Sequence, residues 1–329
     1  MKKNNLLLLG VAMMVLASCT NEKVVDVASD RAISFNTFVD NNTRATNDLT
    51  NSSITNFFVF GDYDNGASIA FNNTEVIGGK VGDNSNWIPK QQAWWQLGKN
   101  YTFGAYSNSN EQLSNISYEN GTLTISGYSV SNRDLIASVV KDITAPGAGE
   151  DKSVALTFKH LLSKIKFTFS TDAVPDAYIM EVSDLQIANA MKENVSVTVN
   201  ELGITTPWAG ETNGTYSIEP IEDYAVEEGK TSSEECYVIP QNNVSLTATF
   251  KVTLKDEKTK KEISSGTFKA LLKTENGKWE EGYAYNYTAK INPDEVDPEQ
   301  NLRPIQFTVT TVTDWEWDND VATTPEKTE

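Results

Sequence analysis

From Ile33 onward, runs rich in Val, Ile, Thr, Phe and Tyr alternate with polar residues and stop at clusters of Gly, Asn, Asp and Pro. That period of two predicts strands. Ile33, Phe35 and Val39 fall on one face of a first strand, whereas Phe57-Phe58-Val59-Phe60 is apolar on both faces and predicts a central, fully covered strand. Leu246, Ala248, Phe250, Val252 and Leu254 alternate in phase, as do Tyr283, Tyr285, Tyr287, Ala289 and Ile291. Between Val154 and Phe169 the phase shifts: Val154, Leu156, Phe158 and Leu162 share one parity and Ile165, Phe167 and Phe169 the other, so a bulge or sharp bend is expected near Ser163. Helical spacing is confined to one short candidate at 184–192, just before the Val195, Val197, Val199 strand. The pattern is that of an all-β chain.

A length of 329 residues exceeds a single sandwich of about 100 to 150 residues. The polar stretch 142–153, with Pro146, Gly147 and Gly149, marks the expected seam between an N-terminal sandwich at 31–150 and a C-terminal one at 151–317. An internal echo supports duplication. Trp95-x-x-Gly98-x-x-Tyr101-x-Phe103 recurs as Trp279-x-x-Gly282-x-x-Tyr285-x-Tyr287 with identical spacing. In both, a glycine turn after an indole leads into an aromatic strand, as expected where Trp caps a core and the ring row packs beneath it. The tail 318–329 is too polar to bury anything and is expected to be disordered.

The first eighteen residues differ from all that follows. Lys2 and Lys3 precede an apolar stretch from Leu6 to Leu16, shorter than the roughly 20 residues needed to span a bilayer core, so it reads as a cleaved leader and not a transmembrane helix. It ends at Leu16-Ala17-Ser18-Cys19, which resembles the bacterial lipobox. Lipidation at Cys19 follows, with 19–30 as a tether. The rival is an ordinary signal peptide with a chance cysteine. At about 0.8 kcal/mol per buried methylene, several acyl chains on one residue make a permanent anchor. The expected location is a bacterial cell envelope.

Charge narrows the partners. The chain has 27 Lys and Arg against 45 Asp and Glu, a net charge of −18, and loss of the leader with its two lysines makes it about −20. Nucleic acid is excluded as a partner, and lipid, not a basic patch, must provide anchoring. Only Cys19 and Cys236 exist, so with Cys19 lipidated no intrachain disulfide can form, and Cys236 is expected to pack as a small apolar residue. His160 is the only histidine, and no G-x-S-x-G motif occurs. Multi-histidine metal sites are therefore excluded, and the residues point to no cofactor and no catalytic group. Trp87, Trp94, Trp95 and Trp208 lie near turn residues, where an exposed indole can stack on a sugar; Trp87 and Trp208 are the candidates for glycan stacking.

Six landmarks in one order resemble the fimbrillin family, the pilins and related surface lipoproteins of Bacteroidetes type V pili. They are the lipobox; Ile33-Ser34-Phe35 leading to Thr43-Arg44-Ala45; the Trp95 to Tyr106 stretch; Phe158-Lys159-His160-Leu161-Leu162-Ser163-Lys164-Ile165-Lys166-Phe167; Tyr237-Val238-Ile239-Pro240-Gln241; and Val312-Thr313-Asp314-Trp315. The resemblance implies two tandem transthyretin-like Greek-key β-sandwiches, outer-membrane delivery, and assembly with other pilin subunits by donor-strand insertion. It also implies cleavage after an early-loop arginine, a position that Arg44 matches, which would release the strand carrying Ile33, Phe35 and Val39. Ile305, Phe307, Val309, Val312, Trp315 and Trp317 are expected to serve the second sandwich, and the tail beyond Asp318 offers only Val321 and Ala322. At about 25 cal/mol per Å² such a tail could not fill an acceptor groove. The expectation is a non-enzymatic tip or accessory component, or a solitary fimbrillin-like lipoprotein, at the cell surface or in a fimbrium, with an adhesive role toward host or bacterial surfaces; the alternative is a lipid-anchored glycan-binding protein.

Overall fold

The computed structural model describes residues 31–39, 48–78, 87–150, 152–171, 178–218, 230–296 and 303–312. It is all-β. The strands are β1 (Ser34–Val39), β2 (Asn56–Tyr63), β3 (Ser68–Ile77), β4 (Ile88–Pro89), β5 (Asn100–Asn108), β6 (Ile116–Glu119), β7 (Thr122–Tyr128) and β8 (Leu135–Thr144). There follow β9 (Ser153–His160), β10 (Ser163–Ser170), β11 (Tyr178–Ala190), β12 (Val195–Asn200), β13 (Gly203–Ala209), β14 (Gly214–Ile218) and β15 (Lys230–Ser232). The last are β16 (Cys236–Val238), β17 (Thr247–Asp256), β18 (Glu262–Leu271), β19 (Ala284–Lys290), β20 (Arg303–Ile305) and β21 (Thr308–Val312).

Among the described residues the strands form four sheets: β1-β9-β8-β5-β2-β3-β4, β13-β12-β7-β6, β15-β10-β19-β21 with β16 also on β10, and β14-β11-β17-β18-β20. The seven-stranded sheet curls onto itself. β1 runs parallel to β9, Ser34 opposite Ser153 and Val39 opposite Phe158, while its other edge bridges to Trp87, the residue before β4 at the far end of the strand order. Inside the curl lies one aromatic core, with Phe35, Phe57, Phe71, Phe103, Trp87 and Phe158 among its members. β2 is covered on both faces, as its doubly apolar sequence requires: Phe57 and Val59 enter this core, and Phe58 and Phe60 enter a second one. That second core continues through the four-stranded sheet, where the Tyr118 ring stacks on Phe60 at 5.5 Å. It runs on between the two five-stranded sheets, where Phe167, Phe250 and Tyr287 surround Phe307.

Two expectations need correction, and a third is borne out. Most of the 184–192 segment, through Ala190, is the end of β11 and not a helix. Asp184 and Asn189 adopt φ of 53° and 58° at two register shifts in the strand's pairings. Each bulge adds one residue, so the buried positions Met180, Val182, Leu185, Ile187 and Ala190 fall at spacings that imitate a helical stripe. The bend expected near Ser163 is present, at Leu162, and it marks a change of sheet: β9 closes the first sheet, and β10 opens another. The seam does not fall at 150–151. Val154, Leu156 and Phe158 on β9 are buried in the first core, and β12 pairs with β7, so strands from both sides of the expected division share one sheet. The 318–329 tail lies outside the described residues.

Candidate functional site

β1 sits in a groove that the rest of the curled sheet provides. Ile33, Phe35 and Val39 are each 0 % exposed, and the Phe35 ring lies 5.8, 5.7 and 5.6 Å from those of Phe57, Phe71 and Phe103. At roughly 1.5–3 kcal/mol per fully buried large apolar side chain, these three contribute on the order of 5–9 kcal/mol to seating the strand, an upper bound. Backbone bonds hold the edge: Phe35 N–H donates to Trp87 O (3.0 Å), Trp87 N–H to Phe35 O (2.9 Å), Ile33 N–H to Ala93 O (2.8 Å) and Trp95 N–H to Arg31 O (2.9 Å). Val39 N–H donates to Asn51 Oδ1 at 2.7 Å.

Where the described chain resumes, at Asp48, it is pinned by buried charge. Lys164 Nζ lies 2.6 Å from Asp48 Oδ2, with the side chains 1 % and 0 % exposed, and 3.0 Å from Glu235 Oε2, whose side chain is 29 % exposed. The Tyr237 hydroxyl donates to Asp48 Oδ1 at 2.5 Å. Burial, followed by the negative charges of Asp134 and Asp48, pushes the Tyr237 hydroxyl far above its ordinary value, so it stays a proton donor. One residue on, Leu49 N–H donates to Asp134 Oδ2 at 2.9 Å, and Asp134 also meets His160 Nδ1 at 2.9 Å. Buried ions are costly unless paired, and removing one partner typically costs about 3–5 kcal/mol. Residues 48–49 are thus held to Asp134, just before β8, and to β10 and β16 by interactions that span 85 to 189 positions of sequence.

Among the sequence-predicted residues, Cys19 and Arg44 lie outside the described residues. Arg44 falls between Val39, at the end of β1, and Asp48, the first pinned residue. Trp87 and Trp208 correct the glycan-stacking expectation. Trp87 is 0 % exposed, with its ring 5.4 Å from that of Phe57; Trp208 is 6 % exposed, and its Nε1 donates to Leu161 O at 2.9 Å. Proximity to a turn places the backbone, but both side chains point into cores, so neither indole has a face free for a sugar. Trp95 is buried as well, and Trp94 is 43 % exposed. Burial pushes the Cys236 thiol up to about 12, so it remains protonated near neutral pH. Asp48, Asp134, Lys164, Glu235 and Tyr237 were not anticipated as a group. The available signal was Lys164 itself, since a lysine inside an apolar strand needs a partner.

The repeated nine-residue pattern forms two matching corners. Gly98 and Gly282 take φ of 72° and 74°, left-handed conformations that favour glycine. In the first, Gln96 N–H donates to the Tyr101 hydroxyl at 2.8 Å; in the second, Glu280 N–H donates to the Tyr285 hydroxyl at 2.9 Å. The first corner borders β1, because Arg31 Nη2 donates to Trp95 O at 2.6 Å. The second is bonded to the start of β10, through Gly282 N–H to Leu162 O at 2.9 Å and Ser163 Oγ to Glu280 O at 2.7 Å.

The fold has solved counterparts. A candidate cell adhesion protein from Bacteroides uniformis aligns with a TM-score of 0.51 at 16 % identity, covering 88 % of this chain and 99 % of its own. One from Bacteroides eggerthii gives 0.52 at 14 %, covering 86 % and 95 %, and a fimbrial protein from Bacteroides vulgatus gives 0.51 at 13 %, covering 86 % and 99 %. No curated protein sequence matches the chain. The family model described as fimbrillin-like matches residues 43–315, and the chain belongs to the fimbrillin-like family.

Proposed function

We propose that this protein is a lipid-delivered surface subunit of a fimbrium, a tip or accessory adhesin that accepts a strand from another subunit after cleavage at Arg44. The observation that carries this reading is the contrast across residues 40–47. On one side β1 is a separable strand with three core side chains; on the other the chain is pinned at Asp48 and Leu49. A cut between them would leave β1 held by non-covalent contacts alone, free to be exchanged, with the remainder in place. The vacated groove would expose Phe57, Phe71 and Phe103 together with the free edges of β9 and the Trp87–Trp95 segment, a trench that an extended apolar strand can refill. Further support comes from the C-terminal side. β20 pairs with β18 and β21 with β19, and Phe307 packs among aromatic rings, so these strands serve their own sandwich. That favours a subunit that accepts a strand over one that also donates. Lipid on Cys19 would then act as a delivery tag, lost with residues 19–44.

The test is digestion of the folded protein with an arginine-specific protease, followed by incubation with labelled donor-strand peptides from pilin C-termini. The expected product begins at Ala45 and captures peptide, whereas uncut protein does not. A clipped, folded product that takes up no peptide would sink the proposal.

A further inference from the structure

We propose that Asp48 and Lys164 join in an intramolecular isopeptide bond, formed with loss of water and with Glu235 as the proton carrier. The three groups already stand in reacting order. Lys164 Nζ is 2.6 Å from Asp48 Oδ2, so the nitrogen and the carboxyl group to be joined are already held together, and a rotation of that group would turn the face of its carbon toward the nitrogen. Glu235 Oε2 is 3.0 Å from the same nitrogen. The Tyr237 hydroxyl donates to Asp48 Oδ1, the oxygen on which negative charge would build as the carbon becomes tetrahedral. Burial of both partners excludes the bulk water that would otherwise solvate the ions and favour hydrolysis.

The step balances without an outside reagent. A proton moves from the Lys164 ammonium to the Asp48 carboxylate, giving amine and carboxylic acid. The nitrogen lone pair then forms the bond to Asp48 Cγ. Glu235 takes a proton from the nitrogen and returns it to the departing hydroxyl; the carbon–oxygen bond breaks, water leaves, and Glu235 ends as the carboxylate it began as. One ammonium and one carboxylate become one amide and one water. The water has an exit, because Glu235 and Tyr237 line a cavity of about 250 Å³ shared with Cys236, Lys192 and Tyr216. The bond would tie residues 116 apart in sequence, and it does not depend on cleavage at Arg44.

The test is mass spectrometry of the full chain purified from cells, with proteolytic peptides sequenced by fragmentation. The expected result is a protein lighter by one water and a branched peptide linking the Asp48 segment to the Lys164 segment. Both features should be lost in Lys164→Met and in Glu235→Gln. Glu235→Gln leaves the buried pair intact, so its circular dichroism should match the parent's and its missing bond cannot be blamed on misfolding. A folded parent protein at full mass with no branched peptide would overturn the proposal. A branched peptide undiminished in Glu235→Gln would overturn the part given to Glu235.

Discussion

The two Trp-Gly-Tyr corners share spacing, turn conformation and the bond that caps their tyrosine, yet they end differently. In the second corner the Trp279 indole N–H donates to the Tyr287 hydroxyl at 2.7 Å, and that hydroxyl donates to Leu272 O at 2.7 Å. In the first, Phe103 stands where Tyr287 does, and among the described residues Trp95 Nε1 has no hydrogen-bond partner. An unpaired buried donor costs about 1–3 kcal/mol. The satisfied corner is bonded to β10, inside the second sandwich; the unsatisfied one borders β1, the strand proposed to leave. One motif thus occurs in a fully bonded and an incompletely bonded version, and the weaker version lies where the fold is proposed to open, in keeping with the uneven distribution of stability expected within a domain.

The comparison breaks most readily at the indoles. Trp279→Ala should cost about 3–5 kcal/mol in urea unfolding, whether or not the protein has been cut after Arg44. Trp95→Ala should cost a similar amount in the uncut protein and clearly less in the cut, strand-free form. An equal cost of Trp95→Ala in both forms would show that the first corner is as permanent as the second. Next in size is Tyr287→Phe, which leaves two buried groups unpaired and should cost about 1–3 kcal/mol. The reciprocal Phe103→Tyr, which offers Trp95 an acceptor, should gain up to about 1 kcal/mol; thermal denaturation of the pair measures both.

Alkaline pH gives a smaller contrast. Burial raises the hydroxyls of Tyr101, Tyr285 and Tyr287 above their ordinary value. An unfolded chain therefore loses these protons first as pH passes about 10, and stability, complete below that pH, falls as pH rises beyond it. The slope of unfolding free energy against pH should become shallower in Tyr287→Phe, which removes one such group. The smallest difference is expected at the glycines. A Cβ at Gly98 or Gly282 meets nothing within 4 Å, so Gly98→Ala and Gly282→Ala should each show only the left-handed backbone penalty, about 1–2 kcal/mol. Equal losses at the two sites would confirm that the corners differ in their hydrogen bonds and not in their turns.

What sequence reveals here depends on how local the cause is. The doubly apolar run Phe57–Phe60 and the spacing of the corners are legible because alternation and turn chemistry act within a few residues. The bulges at Asp184 and Asn189 are local too, but they disguise a strand, since an inserted residue shifts the phase that identifies one. The Asp48–Lys164 pair is illegible for another reason: its partners lie 116 positions apart, and no periodicity connects them. Trp87 and Trp208 show a third limit. A turn nearby predicts where the backbone runs, while the direction of the indole is set by the sheet that closes over it. Cys19 and Arg44 remain supported by motif and family resemblance, and the structure adds the setting on either side of Arg44.

The parallel pairing of β1 with β9 bears on how the molecule would carry force. A pull on the N-terminal end of β1, opposed through the C-terminal end of β9 where the chain passes into β10, draws the two parallel strands in opposite directions along their length. The evenly spaced hydrogen bonds from Ser34 to Val39 would then be strained together, as in a lap joint, whereas a hairpin pulled apart at its ends opens one bond at a time. A chain tethered at its N-terminus would therefore resist a tug through β1 better than that strand's small size suggests, and the proposed cut after Arg44 would take β1 out of the line of force.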